Sequence, residues 1–264
     1  MADTDTNPPA AVIAAPAVKL KLTRVSKTYS SSTQSVAALE PVNLEIREGE
    51  FVIFFGPSGC GKSTLLNIIA GFESVSAGEI TLDGRPVEGP HHDRLMMFQE
   101  HGLFPWLNVH QNVMFGLKRQ FRFKPGARRA HARRFLQMVH LAEFENARIH
   151  ELSGGMKQRV ALARALAPDP KVLLVDEPFG ALDALTRAKL YGDLQEIHQR
   201  TQKTIILVTH DAREAACLGD RVLVFSGRPG RVKADITISL PRPRDVNDPV
   251  VAECAAGIMA QLEA

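Results

Sequence analysis

Five apolar residues, Phe51-Val52-Ile53-Phe54-Phe55, run directly into Gly56-Pro57-Ser58-Gly59-Cys60-Gly61-Lys62-Ser63-Thr64 and then into the segment Leu65-Leu66-Asn67-Ile68-Ile69-Ala70. An apolar run without alternation reads as a strand buried on both faces, which requires a sheet covered on both sides. Its successor has leucine and isoleucine at helical spacing. The loop between them satisfies G-x-x-x-x-G-K-[ST] in the strand–loop–helix setting that the motif requires. Its glycines let backbone N–H groups turn inward around phosphate oxygens, and the helix N-terminus adds a positive dipole end. On this reading Lys62 neutralises phosphate charge and Ser63 offers a hydroxyl to a magnesium ion. Cys60 is a small filler within the loop.

The surrounding pattern says what kind of sheet receives that strand. VKLKLTRV at 18–25 and VNLEIREGE at 42–50 alternate, as half-buried strands do. EITLDGRPV is a strand with a turn at Asp83-Gly84, and RLMMFQ another. Farther on, KVLLVDE, TIILVTH, RVLVFSG and KADITISL read as strands separated by the helices ALTRAKLYGDLQEIHQR and DAREAACLGD. Residues 103–150 carry little strand pattern and a helix around ARRAHARRFLQMVHLAEF. The expected fold is therefore α/β: a P-loop NTPase core with a mostly parallel sheet, an N-terminal antiparallel β subdomain and a helical insertion subdomain. The domain reading is a disordered tail over 1–18, an ATPase domain over 19–241 with its insertion at about 101–152, and a C-terminal helical tail over 242–264. Val251, Cys254, Ile258 and Leu262 share one face of that last helix, which points to packing.

Composition narrows the function classes. A net charge of +3 gives no argument for nucleic acid, and Arg128, Arg129, Arg133 and Arg134 read as one solvated helix face. Three cysteines without CxxC or Cys/His spacing suggest neither a disulfide framework nor zinc, and fit a reducing compartment. No stretch approaches the roughly 20 apolar residues that span a bilayer. The N-terminal segment has acids before its apolar part and prolines within it, unlike a signal peptide.

Several residues could complete a phosphate site. Asp176 and Glu177 end the apolar strand VLLVDE; Asp176 suits a magnesium ion, and Glu177 suits activation of an attacking water. A pair of solvated acids would look the same in isolation. Tyr29, in a loop after the first strand, is able to stack on an adenine ring. Gln99 ends a strand and could reach magnesium or the attacking water. His210 after IILVT suits either a γ-phosphate contact or an ordinary strand-end hydrogen bond. A harder question is HELSGGMKQRVALARAL, a good helix opened by two glycines. Ser153 explains part of it as an N-cap; close approach of an anion to the bare backbone at Gly154 and Gly155 would explain the rest.

Together, Gly56–Thr64, Gln99, Leu152-Ser153-Gly154-Gly155-Met156, Asp176-Glu177, Ala181-Leu182-Asp183 and His210 resemble the ATP-binding cassette of ABC transporters, in order and spacing from about Leu20 to about Leu240. The resemblance implies ATP and Mg²⁺ as cofactors, with Ser63, Gln99 and Asp176 at the metal. It implies Lys62, Gln99, Glu177 and His210 as catalytic residues. Tyr29, Gly56, Pro57, Ser58, Gly59, Cys60, Gly61, Lys62, Ser63, Thr64 and Gln99 would hold the nucleotide.

It further implies that two cassettes pack head to tail, so that Ser153, Gly154 and Gly155 face an ATP held by the opposing copy. Asp183 would organise that interface. Met156 stands where glutamine is most common in the family. The residues after Gln99, including Phe104, Pro105 and Trp106, would dock a membrane subunit or pack within the insertion. That run, with GPSGCGKST and the SGRPGRV turn at 226–232, is similar to the nitrate, sulfonate and taurine importer branch. The implied setting is a homodimer on the cytoplasmic face of the inner membrane, bound to permease subunits and served indirectly by an extracytoplasmic solute-binding protein, with no nucleic-acid partner. A non-transport ABC ATPase acting on nucleic acid or the ribosome is the alternative; it would usually carry coiled coils or tandem cassettes.

Overall fold

The structure is a computed structural model describing residues 16–31, 34–98, 102–117, 125–180 and 182–263. Its strands in chain order are β1 (Val18–Ser30), β2 (Ser35–Arg47), β3 (Phe51–Phe55), β4 (Ala77–Leu82) and β5 (Arg85–Pro86). They continue with β6 (Arg94–Met97), β7 (Val172–Asp176), β8 (Thr204–Thr209), β9 (Arg221–Phe225) and β10 (Val232–Thr237). The α-helices are α1 (Lys62–Ala70), α2 (Val109–Leu117), α3 (Pro125–Met138), α4 (Gly154–Leu166), α5 (Ala184–Thr201), α6 (Ala212–Leu218) and α7 (Pro249–Glu263).

Two sheets form. An antiparallel sheet has the order β2-β1-β4-β5, and a six-stranded sheet has the order β10-β9-β3-β8-β7-β6. The second is parallel apart from β10, which pairs antiparallel with β9. Alternation divides its apolar strands between two cores. Phe51, Ile53, Phe55, Leu173, Val175, Ile205 and Leu207 face helices α2 to α7. Val52, Phe54, Val172, Leu174, Ile206 and Val208 face α1 and the antiparallel sheet. Full burial of β3 and β8 follows from having both faces covered.

Three elements differ from the sequence expectation. Tyr29 lies within β1 and pairs with Val36 of β2, so both strands run longer than their alternating cores and no loop holds the ring. In the insertion, α2 places Val109, Val113 and Leu117 in the core, although three polar residues after Val109 hide that spacing from a pattern reading. Helix α3 stops at Met138, with His140 at φ 56°, so the expected single helix through Phe144 ends early.

The C-terminal segment is tied into the core. Val251, Ala255 and Ile258 of α7 are buried, with Cys254 and Leu262 packed beside them. Arg244, also buried, donates to the carbonyls of Ala216, Gly219 and Leu240, while Gln195 bonds its backbone from both sides. No helix among the described residues is long and apolar enough to cross a membrane.

Candidate functional site

Strand β3 has parallel neighbours on both sides, reached in opposite directions, so the loop at its C-terminal end opens into a crevice of the kind that binds ligands in open α/β sheets. Gly61, the N-cap of α1, has φ 92°, and a Cβ there would meet the Ala38 carbonyl oxygen at 2.7 Å. Glycine therefore fits where another residue would be both strained and blocked. Helix α1 has no side-chain cap and no acid in its first turn. Its first N–H groups are left for an external anion.

A cavity of about 380 Å³ lies over this loop, lined by Tyr29, Val36, Ala37, Ala38, Ser58, Gly59, Gly61, Lys62, Ser63, Thr64, Glu177 and Arg228. Buried Lys62 donates from Nζ to the carbonyls of Gly56 and Pro57, each at 2.7 Å, with Cys60 Sγ at 3.6 Å. The Cys60 side chain is buried and packs in the core beneath, as a filler would. Tyr29 is exposed at the rim, with Lys27 Nζ 4.9 Å from its ring centroid.

The acids arrive from β7. Ser63 Oγ donates to Asp176 Oδ1 at 3.0 Å. Burial pushes the Asp176 carboxyl above its ordinary range, and neighbouring Glu177 pushes the same way, while the Ser63 bond pulls it down. Glu177 has φ 42°, a costly conformation for a non-glycine residue. Its N–H still bonds to the Val208 carbonyl at 3.1 Å, and its side chain reaches the cavity. His210 Nδ1 lies 3.3 Å from Glu177 Oε2. Gln99 lies outside the described residues.

The Ser153 segment is built elsewhere. Ser153 caps α4, its hydroxyl accepting from the Met156 N–H at 3.3 Å. Asp183 caps α5 by accepting from the Thr186 N–H at 3.0 Å, and the bonds from Thr186 hold its carboxyl below the ordinary range. The two glycines then divide. Gly154 is exposed, with only Leu182 Cδ2 near a built Cβ, at 3.3 Å. Gly155 is buried, and a Cβ there would stand 2.5 Å from Thr186 Cγ2. Its lack of a side chain serves packing of α4 on α5 within one chain, while Gly154 is the glycine exposed to solvent; the first-turn N–H of each stays a candidate for an external anion. Met156 packs its side chain on the core, which gives it an intramolecular role.

Sequence reasoning missed three residues around these features. Buried Asn112 holds the 104–108 turn through bonds to Phe104, Leu107 and Asn108. Arg164 donates to the Gly102 carbonyl at 2.6 Å and lies over the Phe104 ring. Arg228 reaches the phosphate loop from the β9–β10 turn, with Nε donating to the Gly59 carbonyl at 2.8 Å. The sequence marks only the SGRPGRV turn, because the spatial neighbour of Arg228 is far away along the chain.

Comparison with known proteins identifies the family. Residues 39–180 match the family model described as ABC transporter. The taurine import ATP-binding protein of Burkholderia pseudomallei is 47% identical over 232 residues, spanning 88% of this chain and 89% of that protein. The nitrate import ATP-binding protein of a Synechocystis strain is 49% identical over 84% of this chain and 83% of its own. A dimeric ATP-binding cassette in a post-hydrolysis state, bound to ADP and Pi, superposes with a TM-score of 0.73 at 35% identity, covering 84% of this chain and 100% of that one. This chain belongs to the ABC transporter family, as an ATP-binding and ATP-hydrolysing cassette.

Proposed function

We propose that this chain is the ATPase subunit of an importer for a small solute, working as a homodimer of cassettes beneath a separate permease. The observation that carries the dimeric reading is a separation: Ser153, Gly154 and Asp183 do not line the cavity that Lys62, Ser63 and Glu177 line. Ser153 and Gly154 are exposed at the start of α4, outside that cavity, and Leu185 in the first turn of α5 is 85% exposed. A second copy would present its phosphate site to these residues, and an isologous interface would complete two sites at once. A dimer is the state of the ADP-bound cassette that this chain resembles.

In the proposed site Tyr29 stacks on the base, while the backbone from Gly56 to Thr64 and the start of α1 wrap the phosphates. The Lys62 ammonium keeps its loop carbonyls and turns its remaining N–H toward phosphate oxygen. Ser63 and Asp176 offer hard oxygen donors of the type that suits Mg²⁺, with Gln99 as a further candidate ligand. When bound, Mg²⁺ would neutralise phosphate charge during transfer. Glu177 orients and deprotonates the attacking water, and His210, beside it, contacts the γ-phosphate and holds the carboxylate in place.

The insertion supports permease docking. Trp106 is 68% exposed, and the Phe104 ring contacts both it and Phe115 at a tilt, with centroids 5.5 and 4.3 Å away. Next to them runs a groove of about 1050 Å³ lined by residues including Met96, Phe98, Phe104 and Phe115. An exposed aromatic cluster beside an apolar groove is the signature of an interaction surface. On this reading the chain sits peripherally, on the cytoplasmic face of a membrane. Nitrate and taurine are named for two relatives, so the cargo class proposed here is a small solute of that kind, delivered by an extracytoplasmic binding protein. Those import names favour this reading over the nucleic-acid alternative. The test is reconstitution: with its permease in liposomes, ATP hydrolysis should drive solute accumulation, and uptake without ATP would refute the proposal.

A further inference from the structure

The turn between β9 and β10 is clamped against both walls of the nucleotide cavity. Gly230 donates its N–H to the Ala38 carbonyl at 3.0 Å and accepts from the Glu40 N–H at 2.9 Å, so it continues the edge of β2. A Cβ at Gly230 would lie 1.9 Å from the Cys60 carbonyl oxygen. Backbone therefore packs on backbone, and the turn cannot retreat from the phosphate loop without dragging β2 with it. Two residues earlier, Arg228 Nε is fixed on the Gly59 carbonyl at 2.8 Å. A Cβ on Gly59 would come within 2.5 Å of Arg228 Nη2, so this glycine leaves the room the guanidinium occupies.

Charge gives that placement a purpose. The cavity's other charged lining side chains are Lys62 and Glu177, which cancel. Arg228 is exposed and lines the same cavity, and among the described residues no carboxylate pairs with it. Its fork carries five N–H donors, of which the Gly59 carbonyl takes one. A guanidinium anchored on the loop that wraps phosphates is suited to bidentate recognition of phosphate oxygens.

We propose that Arg228 is a nucleotide-binding residue whose guanidinium engages the phosphate chain of the bound nucleotide. The proposal rests on the nucleotide-site reading given above and adds a contact from the β9–β10 turn. Arg228 supplies the excess positive charge the cavity otherwise lacks, and the clamp at Gly230 holds that charge ready before ligand arrives.

Calorimetric titration of purified Arg228→Ala, Arg228→Gln and Arg228→Lys with ATP, ADP and AMP tests this. The alanine and glutamine variants should weaken ATP binding about tenfold and AMP binding by less than about twofold, with lysine restoring most of the loss. Thermal melting should stay near wild type for all three. Glutamine is able to donate to the Gly59 carbonyl but carries no charge. ATP binding by Arg228→Gln equal to that by Arg228→Lys would show a mere buttress and overturn the proposal. An equal loss for AMP and ATP, or no loss at all, would overturn it too. Lys62→Ala, run in parallel, should lose ATP binding; wild-type ATP affinity there would instead bring down the underlying reading of the cavity.

Discussion

His210 Nδ1 and Glu177 Oε2 stand 3.3 Å apart at the mouth of the phosphate cavity, joining the end of β8 to the end of β7. Glu177 also holds a left-handed backbone conformation, so its aim is set by structure on two sides. Glu177→Gln keeps the shape and removes the base. ATP binding should persist while kcat falls on the order of a hundredfold or more, as expected for loss of a general base. Steady-state ATPase assays with parallel nucleotide titration decide it; wild-type kcat would remove Glu177 from the role.

The contrast between Gly154 and Gly155 yields paired outcomes. Gly155→Ala forces a methyl group against Thr186 and should cost about 1–3 kcal/mol of folding stability, read as a drop in denaturation midpoint. Gly154→Asp adds an acid at the exposed start of α4, where the helix dipole tolerates it, so melting should hardly change. Its turnover should nevertheless vanish, because the acid would oppose phosphate across the dimer. Normal turnover by Gly154→Asp contradicts the proposed seam.

Buried Glu214 sets a pH dependence. Burial pushes its carboxyl from 4.5 up to about 8; the Thr209 hydroxyl bonded to it and the nearby Arg187 pull down, and Asp211 and Glu177 push up. The folded state thus holds a proton that the unfolded state releases at lower pH. Its contribution is complete below about 4.5 and is lost progressively as pH rises toward 8. Glu214→Gln, which imitates the protonated acid, should flatten the decline of melting temperature between those limits. An unchanged slope would show that Glu214 is not the group responsible.

Trp106 is mostly exposed, so Trp106→Ala should shift stability by less than about 1 kcal/mol and leave the ATPase of the isolated chain intact. Assembly with the permease should weaken, as co-purification would show. Unaltered assembly would make Trp106 an ordinary surface residue.

What could be read ahead of the structure follows the range of the interactions. The phosphate loop, β7 with its acids, and the cap at Ser153 are local patterns in which residue order states the geometry. Gly155 looked like its neighbour Gly154, because a sequence does not show that Thr186 packs against one and not the other. Tyr29 reads as a loop residue because alternation fades after Val25, where bulges shift the β1–β2 register. Helix α2 hid behind His110, Gln111 and Asn112, the last being polar yet fully buried to hold a turn. Arg228 and Gly59 are 169 positions apart, and only folding brings them together.

Mixing two inactive variants tests most directly whether catalysis belongs to a seam between copies. Lys62→Ala keeps Ser153 and Gly154 intact, and Gly154→Asp keeps its own phosphate loop. Neither homodimer has a complete site, whereas the mixed dimer has one. An equimolar mixture should recover ATPase activity to about a quarter of wild type, since half of randomly formed dimers are mixed and each carries one good site of two. Activity no higher than that of either variant alone, in a mixture shown to form mixed dimers, would contradict the account.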